Sequence, residues 1–350
     1  MNSHLQKIVS PLLAWYETHR RALPWRIDRD PYHVWVSEIM LQQTRIEAVV
    51  RYYTRFIEAL PDVRSLSEVP EDRLLKLWEG LGYYSRARNL KKAAEWIVRE
   101  NGGAFPRTFD SLRKLPGVGD YTAGAIASIC FGEKAAAVDG NVLRVAARVT
   151  GSRENVLLPA VRKKAESQIR EILPHEAGAF NEAIMELGET VCLPGGAAKC
   201  GECPLRDLCR AYREGTTPEL PVRVKQTGRR QERRTVLLLT SEDGRTAVEK
   251  RPGKGLLAGM YQLPNQEGFL TPQEIRSMAE EWGLSVLKLS LIREAKHVFT
   301  HLDWLMKGYR VKVAQPAGPF LWVTPEELRE QYALPAAFAP FSPIRPARNQ

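Results

Sequence analysis

Two carboxylates and four thiols stand out by their surroundings. Glu38 interrupts the apolar stretch VSEIMLQQTR, residues 36–45, where an unpaired carboxylate loses hydration. Among Val36, Ile39, Met40 and Leu41 such a group either keeps a proton near neutral pH and can donate it, or it is an exposed helical Glu paired with a cation. Asp139 opens VDGNVLRVAARV, where an Asp ahead of an apolar-periodic helix is a good N-cap. Its company makes it a catalytic candidate too: a glycine-containing hairpin suited to phosphate lies a short helix upstream, and Arg144 and Arg148 follow on the next helix.

Cys192, Cys200, Cys203 and Cys209 are spaced x7, x2 and x5 within CLPGGAAKCGECPLRDLC. In a cytosolic chain, thiols so gathered point to a metal rather than to disulfides. A tetrahedral zinc or a 4Fe-4S cluster with one Cys on each iron would satisfy the same four ligands, and spacing alone does not choose. Either would close a loop that presents Lys199, Arg206 and Arg210 to phosphates. Cys130, in AIASICFG, reads as a small buried hydrophobe.

In LPGVGDYTAGAIASICFG, residues 115–132, Gly117 and Gly119 precede a helical run. They mark either a tight interhelical turn or one that brings backbone N–H groups at a helix N-terminus to a phosphate oxygen. Leu-Pro before them and an Ala-rich helix after them form a helix-hairpin-helix pattern.

The elements that must position these residues fall into two regions of a 350-residue chain, long enough for two cores. From about residue 4 to residue 212, apolar residues recur three and four apart and predict helix nearly throughout, punctuated by prolines and glycines. Residues 214–234, EGTTPELPVRVKQTGRRQERR, read as a basic linker. RTVLLLTSEDGRTAVEKR then predicts a strand, an Asp243-Gly244 turn and a second strand. A helix in PQEIRSMAEEWGL and further strands complete an α+β region. The expected division is a helical domain over 1–213 with its cysteine loop at 192–209, the linker, an α+β domain over 235–338, and a loose tail over 339–350.

Lys and Arg total 51 against 41 Asp and Glu, a formal charge of +10 that favours a polyanionic partner. No apolar run approaches the roughly 20 residues that span a bilayer, so nucleic acid comes before membrane. The N-terminal residues lack the order of a secretory signal, and the expected location is cytoplasmic, with the nucleoid reached through DNA.

SEIMLQQT, LPGVGDYTAGAIA, VDGNVLRV, FNEAIMELG and the four cysteines together resemble the MutY family of adenine DNA glycosylases, in the endonuclease III group of helix-hairpin-helix base-excision enzymes. The likeness runs from about Leu23 to Cys209. It extends more loosely into GLLAGMYQLPNQE and HVFTHLDW, which resemble the MutT-like recognition domain of that family.

The resemblance implies an all-α glycosylase domain with an iron-sulfur loop followed by an α+β MutT/Nudix-like domain. It implies a monomeric enzyme on double-stranded DNA that releases adenine opposite 8-oxoguanine or guanine by flipping it out of the stack. Glu38 matches the acid that protonates adenine at N7. Asp139 matches the carboxylate that stabilises the oxocarbenium-like sugar, a division of labour shared with glycoside hydrolysis. Asn141 and Tyr121 match supporting residues, Glu182 a reader of the flipped adenine, and Gln43 and Tyr83 residues that wedge into the base stack. Arg26, Gly117 and Gly119 join the DNA-binding set, and Phe299, Thr300 and His301 match the loop that reads the oxidised base. The cysteines match ligands of a 4Fe-4S cluster, which is preferred to zinc on this ground.

Tyr121 stands where endonuclease III carries a lysine, so no amine is present for a Schiff base, and a glycosylase without a strong lyase activity is expected. In RSMAEEWGL, Arg276, Glu280, Glu281 and Gly283 of a Nudix box remain, but Ser277 replaces a glutamate, so nucleotide hydrolysis is not expected. Two departures from the family pattern are x7 in place of x6 after the first cysteine, and Phe-Thr-His in place of Phe-Ser-His. The competing readings are a helix-hairpin-helix glycosylase for mismatched thymine, and a catalytically silent DNA-binding or redox-sensing protein.

Overall fold

The computed structural model describes residues 3–224 and 228–343. They form two compact units, one of residues 1–68 and 88–226, the other of residues 69–87 and 227–350. The second therefore includes a segment that lies far from the rest of it in sequence.

The first unit is helical. Its central helix, Ala177–Thr190, packs against Val9–His19, Asp120–Phe131 and Gly140–Thr150. Phe180, Ala183, Ile184 and Leu187 bury one stripe of it together with Leu12, Val142, Val145 and Ile169. Three- and four-residue spacing puts those positions on one face, as the periodicity required. Pro31–Leu41 packs against Asp120–Phe131 and against Ile46–Ala59.

Gly117 explains how the hairpin closes. Its φ of +77° lies in the left-handed region, and a Cβ there would fall 2.6 Å from Cβ of Asn89. Gly119 caps the Asp120–Phe131 helix in extended conformation, and a Cβ on it would meet nothing within 4 Å. Only the first glycine is required by the backbone.

The second unit holds a mixed sheet of β1 (Arg230–Ser241), β2 (Thr246–Lys250), β3 (Tyr261–Gln262), β4 (Asn265–Glu267), β5 (Val286–Val298), β6 (Leu302–Val313) and β7 (Leu321–Val323). The order is β3-β2-β1-β6-β5, with β4 also on β1 and β7 also on β2. Burial of VLLL, residues 236–239, on both faces follows from this central place. Leu237 and Leu239 meet Ile275 and Ala279 of the Pro272–Glu281 helix, while Val236 and Leu238 meet Trp304, Phe338 and Phe341.

Three expectations about the ends of regions need correction. Residues 230–234 of the expected linker are strand, paired in parallel with β6 from Arg230 opposite Leu302 onward. Their charge does not prevent this, because Glu232 pairs with Arg230 and Arg234 along the same strand. Residues 220–224 are fastened to the helical unit: Arg148 donates to the Leu220 carbonyl and Val156 N–H to that of Val222. Phe341, placed in the loose tail, is buried at 1% exposure, since it fills the sheet face beside Trp304. Residues 225–227 of the linker and 344–350 of the tail lie outside the described residues.

Replacing Gly117 by Ala combines an unfavourable φ with a backbone-adjacent clash and should cost roughly 1–3 kcal/mol, read as a lower urea midpoint of the helical unit. Gly119→Ala should stay within about 0.5 kcal/mol of the parent.

Candidate active site

Pro31–Leu41 starts at Asp30, whose side chain accepts the Tyr32 N–H at 2.7 Å, with Pro31 at the first helical position. The helix is apolar on nearly every side, and Glu38 is carried inside with its neighbours, at 6% exposure. Its carboxyl accepts a hydrogen bond of 2.5 Å from the Tyr121 hydroxyl. Tyr121, at the start of the Asp120–Phe131 helix, also touches Met185 Sδ at 3.2 Å. Burial pushes the Glu38 carboxyl up to about 7. The Tyr121 hydrogen bond opposes that shift, and the nearby charges of Asp139 and Glu182 add to it.

Asp139 caps the Gly140–Thr150 helix. Its Oδ1 accepts the N–H groups of Asn141 at 2.9 Å and Val142 at 2.8 Å, and its Oδ2 accepts the Asn141 amide at 2.9 Å. The capping and catalytic readings of this residue are therefore compatible. Burial moves its carboxyl above the ordinary Asp range and Glu189 adds to that, while the backbone donors and Arg144 act in the other direction. Asn141 Nδ2 also donates to Glu189 at 2.7 Å, and its Oδ1 accepts from Arg144 at 2.7 Å. Gly188 permits this approach, because a Cβ there would lie 2.5 Å from Cβ of Asn141.

A cleft of about 460 Å³ gathers Glu38, Tyr121, Asp139 and Asn141 with Arg26, Gln43, Glu182 and Glu189. Arg26 pairs with Glu182 at 3.3 Å and with Glu186 at 2.9 Å, and Arg21 closes on Glu186 at 2.6 Å. Burial alone would raise both glutamates. The two arginines hold Glu186 below its ordinary value, while Glu182 remains above. Gln43, at a cleft wall, has φ of +60°, a conformation that side chains other than Gly seldom adopt.

The other proposed site residues do not line this cleft. Gly117 and Gly119 lie in the hairpin. Tyr83, Phe299, Thr300 and His301 belong to the second unit, where the last three form the β5–β6 turn. The Phe299 N–H closes that turn on the Leu302 carbonyl at 2.7 Å, and its ring stands edge-on to Trp304 at 5.0 Å. Tyr83 is 47% exposed with φ of +47°, and its hydroxyl lies 3.4 Å from Thr300 Oγ1.

Arg144 and Arg148, which follow Asp139 on the same helix, do not line the cleft. They are buried, at 5% and 1% exposure. Arg144 donates to the carbonyls of Cys192 and Gly188, and Arg148 to those of Leu193, Gly195 and Leu220 and to Cys192 Sγ at 3.3 Å. They brace the cysteine loop from inside, whereas Lys199, Arg206 and Arg210 are exposed on it.

The four thiols lie within electrostatic reach of one another: burial first, then the other cysteines, push Cys203 up to about 12. Among the described residues, no three His, Cys, Asp or Glu side chains are grouped to hold a single metal ion. Cys200 opens one short helical turn, Cys203 and Cys209 follow the ends of two such turns, and the Arg148 guanidinium donates to Cys192 Sγ, a donor set and a cation suited to thiolates.

Sequence reasoning missed Arg21, Glu186 and Glu189. Glu182, Glu186 and Glu189 stand at i, i+4 and i+7 on one helix face, a stripe of like charge that should repel unless cations face it. That stripe was a usable signal.

A profile of the HhH-GPD superfamily of base excision DNA repair proteins matches residues 36–175, and one of the NUDIX domain matches residues 235–342. The adenine DNA glycosylase of Mus musculus is 35% identical over 91% of this chain and 74% of its own length. That of Buchnera aphidicola subsp. Baizongia pistaciae is 33% identical over 83% of this chain and 82% of its own. The chain belongs to the adenine DNA glycosylase family. It is a hydrolase of N-glycosyl bonds, a DNA glycosylase of the base-excision type. Among solved structures it is also similar to a thermostable thymine-DNA glycosylase, 32% identical with a TM-score of 0.54, over 61% of this chain and 98% of that one. In this adenine DNA glycosylase homologue no helix of the described residues is long and apolar enough to cross a membrane.

Glu38 imposes a pH-dependent cost on folding. Its folded value of about 7 lies above the ordinary 4.5, so the unfolded chain gives up this proton first as pH rises. Stability tied to the neutral carboxyl is full below about 4.5 and lost by about 7, in total roughly 3 kcal/mol. Glu38→Gln should therefore match the parent in urea unfolding at pH 4.5 and exceed it at pH 8.

Proposed function

We propose that this protein removes adenine mispaired with 8-oxoguanine, or with guanine, from double-stranded DNA, and acts as a monofunctional glycosylase. The observation that carries the reading is the pair of carboxylates in one cleft, buried Glu38 with its acidity weakened to about 7 and half-buried Asp139 held by three N–H donors. Flipped adenine enters the cleft, and Glu38 donates its proton to adenine N7 so that the base leaves neutral. Asp139, ionised, stabilises the sugar cation electrostatically or through a transient covalent bond. The Tyr121 hydroxyl orients the Glu38 carboxyl, Asn141 orients that of Asp139, and Arg26 and Glu182 face the base.

Two features favour adenine over thymine. The adenine DNA glycosylase of Mus musculus matches 91% of the chain, against 61% for the thymine-DNA glycosylase structure. The second unit, with its Phe299-Thr300-His301 turn, supplies a reader for the opposite base. Its threonine keeps the serine hydroxyl and adds a methyl group. Gln43 and Tyr83, both in left-handed conformations, are suited to wedging into the base stack, since strain of this kind is typical of binding positions. Hairpin residues Gly117 and Gly119 would take the backbone phosphates.

Cys192, Cys200, Cys203 and Cys209 would hold a 4Fe-4S cluster, with one Cys on each iron. It would close the loop bearing Lys199, Arg206 and Arg210, and no step of base release runs through it. Anaerobically purified protein should contain iron and acid-labile sulfide in equal amounts with little zinc.

Glu38→Gln should lower single-turnover adenine release by about 100-fold or more while leaving binding to the mispaired duplex intact. In the parent, release should fall as pH rises past about 7, where Glu38 loses its proton. It should fall again on the acid side, where Asp139 gains one, at a pH above the ordinary Asp range. Duplexes carrying adenine opposite 8-oxoguanine, adenine opposite guanine and thymine opposite guanine, with and without hot alkali, test substrate and lyase activity together. Release of thymine alone would move the protein to the thymine-specific class, and unchanged adenine release by Glu38→Gln would remove the acid from the mechanism.

A further inference from the structure

The segment 69–87 interrupts the helical unit in sequence but packs with the C-terminal one. Its fastening is specific. Lys76 Nζ donates to the carbonyls of Leu328 at 3.4 Å and Tyr332 at 3.2 Å, and pairs with Glu79 at 2.7 Å. The other Glu79 oxygen accepts the Leu334 N–H at 2.8 Å. These two side chains are only 18% and 30% exposed, so their bonds are partly shielded from water. The Asp72–Lys250 pair, 2.8 Å apart, lies more open and contributes less.

Directly after Glu79 the chain enters the turn that carries Tyr83. Gly80, Gly82 and Tyr83 have φ of +100°, +68° and +47°. A tyrosine keeps such a conformation only where its surroundings fix it. Here Trp78 Nε1 donates to the Gly82 carbonyl at 3.1 Å, and Arg86 donates to those of Leu81 and Gly82 at 3.1 and 3.2 Å. The Arg86 guanidinium also sits 5.5 Å from both the Trp78 and the Tyr83 rings. The result sets the Tyr83 hydroxyl beside Thr300.

We propose that Lys76 and Glu79 are positioning residues for recognition of the base opposite the adenine. By clamping segment 69–87 onto residues 328–334 they make the Tyr83 turn and the Thr300-His301 turn a single reading element. This rests on the reading above that the Thr300-His301 turn reads that base and that Tyr83 wedges into the base stack. Neither Lys76 nor Glu79 lines the Glu38 cleft, so the clamp acts on discrimination and not on base release.

The test compares single-turnover adenine release opposite 8-oxoguanine and opposite guanine in the full chain. In Lys76→Ala/Glu79→Ala the preference for 8-oxoguanine should fall about tenfold, with release opposite guanine within about twofold of the parent. Lys76→Arg, which keeps the donors, should restore the preference, and in a Tyr83→Ala background the clamp substitutions should add nothing. Intact preference in the clamp variant, with preference lost in Tyr83→Ala, would overturn the clamp and leave the reading of Tyr83 standing. Intact preference in Tyr83→Ala would overturn that reading and the clamp with it. A fall by the same factor on both duplexes, in the double variant and in the milder Glu79→Gln, would also overturn the clamp, being the mark of general destabilisation.

Discussion

A carboxyl taken out of water must keep its proton, find a cation or destabilise the fold. Glu38 rides into the interior on a helix whose other residues, Val34 to Met40, are all buried, and its carboxyl meets a neutral hydroxyl from Tyr121. The nearest cation of consequence, Arg26, is already committed to Glu182 and Glu186. Protonation is what remains for Glu38, and the arrangement of the cleft follows from keeping that so. Asp139 sits in the same cleft with the opposite provision: three N–H donors at a helix start, which favour the charged form against burial.

The helix Ala177–Thr190 makes the two environments distinct. Its acidic stripe gives Glu182 and Glu186 to the arginines, and Glu189 to Asn141. Its glycine at 188 lets Asn141 come close enough to serve both Asp139 and Glu189. From Asn141 the hydrogen bonds continue through Arg144 to the Cys192 carbonyl, so the helix that Asp139 caps is anchored at the cysteine loop. Loss of that anchor would be felt at Asp139 through the Asn141 amide that donates to it, since Arg144 itself makes no hydrogen bond to Asp139.

Much of this was legible because the relevant signals are local. An acid in an apolar helical run, an Asp-Gly-Asn helix start, glycines two apart before an Ala-rich helix and the Asp243-Gly244 turn each produce their effect within a few residues. What was not legible depends on partners distant in sequence. Arg144 and Arg148 are near Asp139 in sequence, but their partners are carbonyls of the cysteine loop about 45 residues later, which the sequence does not show. Arg230–Arg234 looks like linker until β6 pairs with it, and Phe341 like a loose tail until Trp304 and Phe338 make room for it. The grouping of residues 69–87 with the C-terminal unit rests on Lys76 and Glu79 finding carbonyl and N–H partners some 250 positions away. No local pattern announces such contacts.

The central claim is the protonation state of one carboxyl, and it can be observed without substrate. Carbon-13 NMR of protein labelled at glutamate carboxyl carbons, with Glu38→Gln to assign the resonance, follows Glu38 directly through a pH titration. A midpoint near 7 is predicted. A midpoint near 4.5, the ordinary value, would mean that Glu38 is ionised at neutral pH and would contradict the account of Glu38 as the acid.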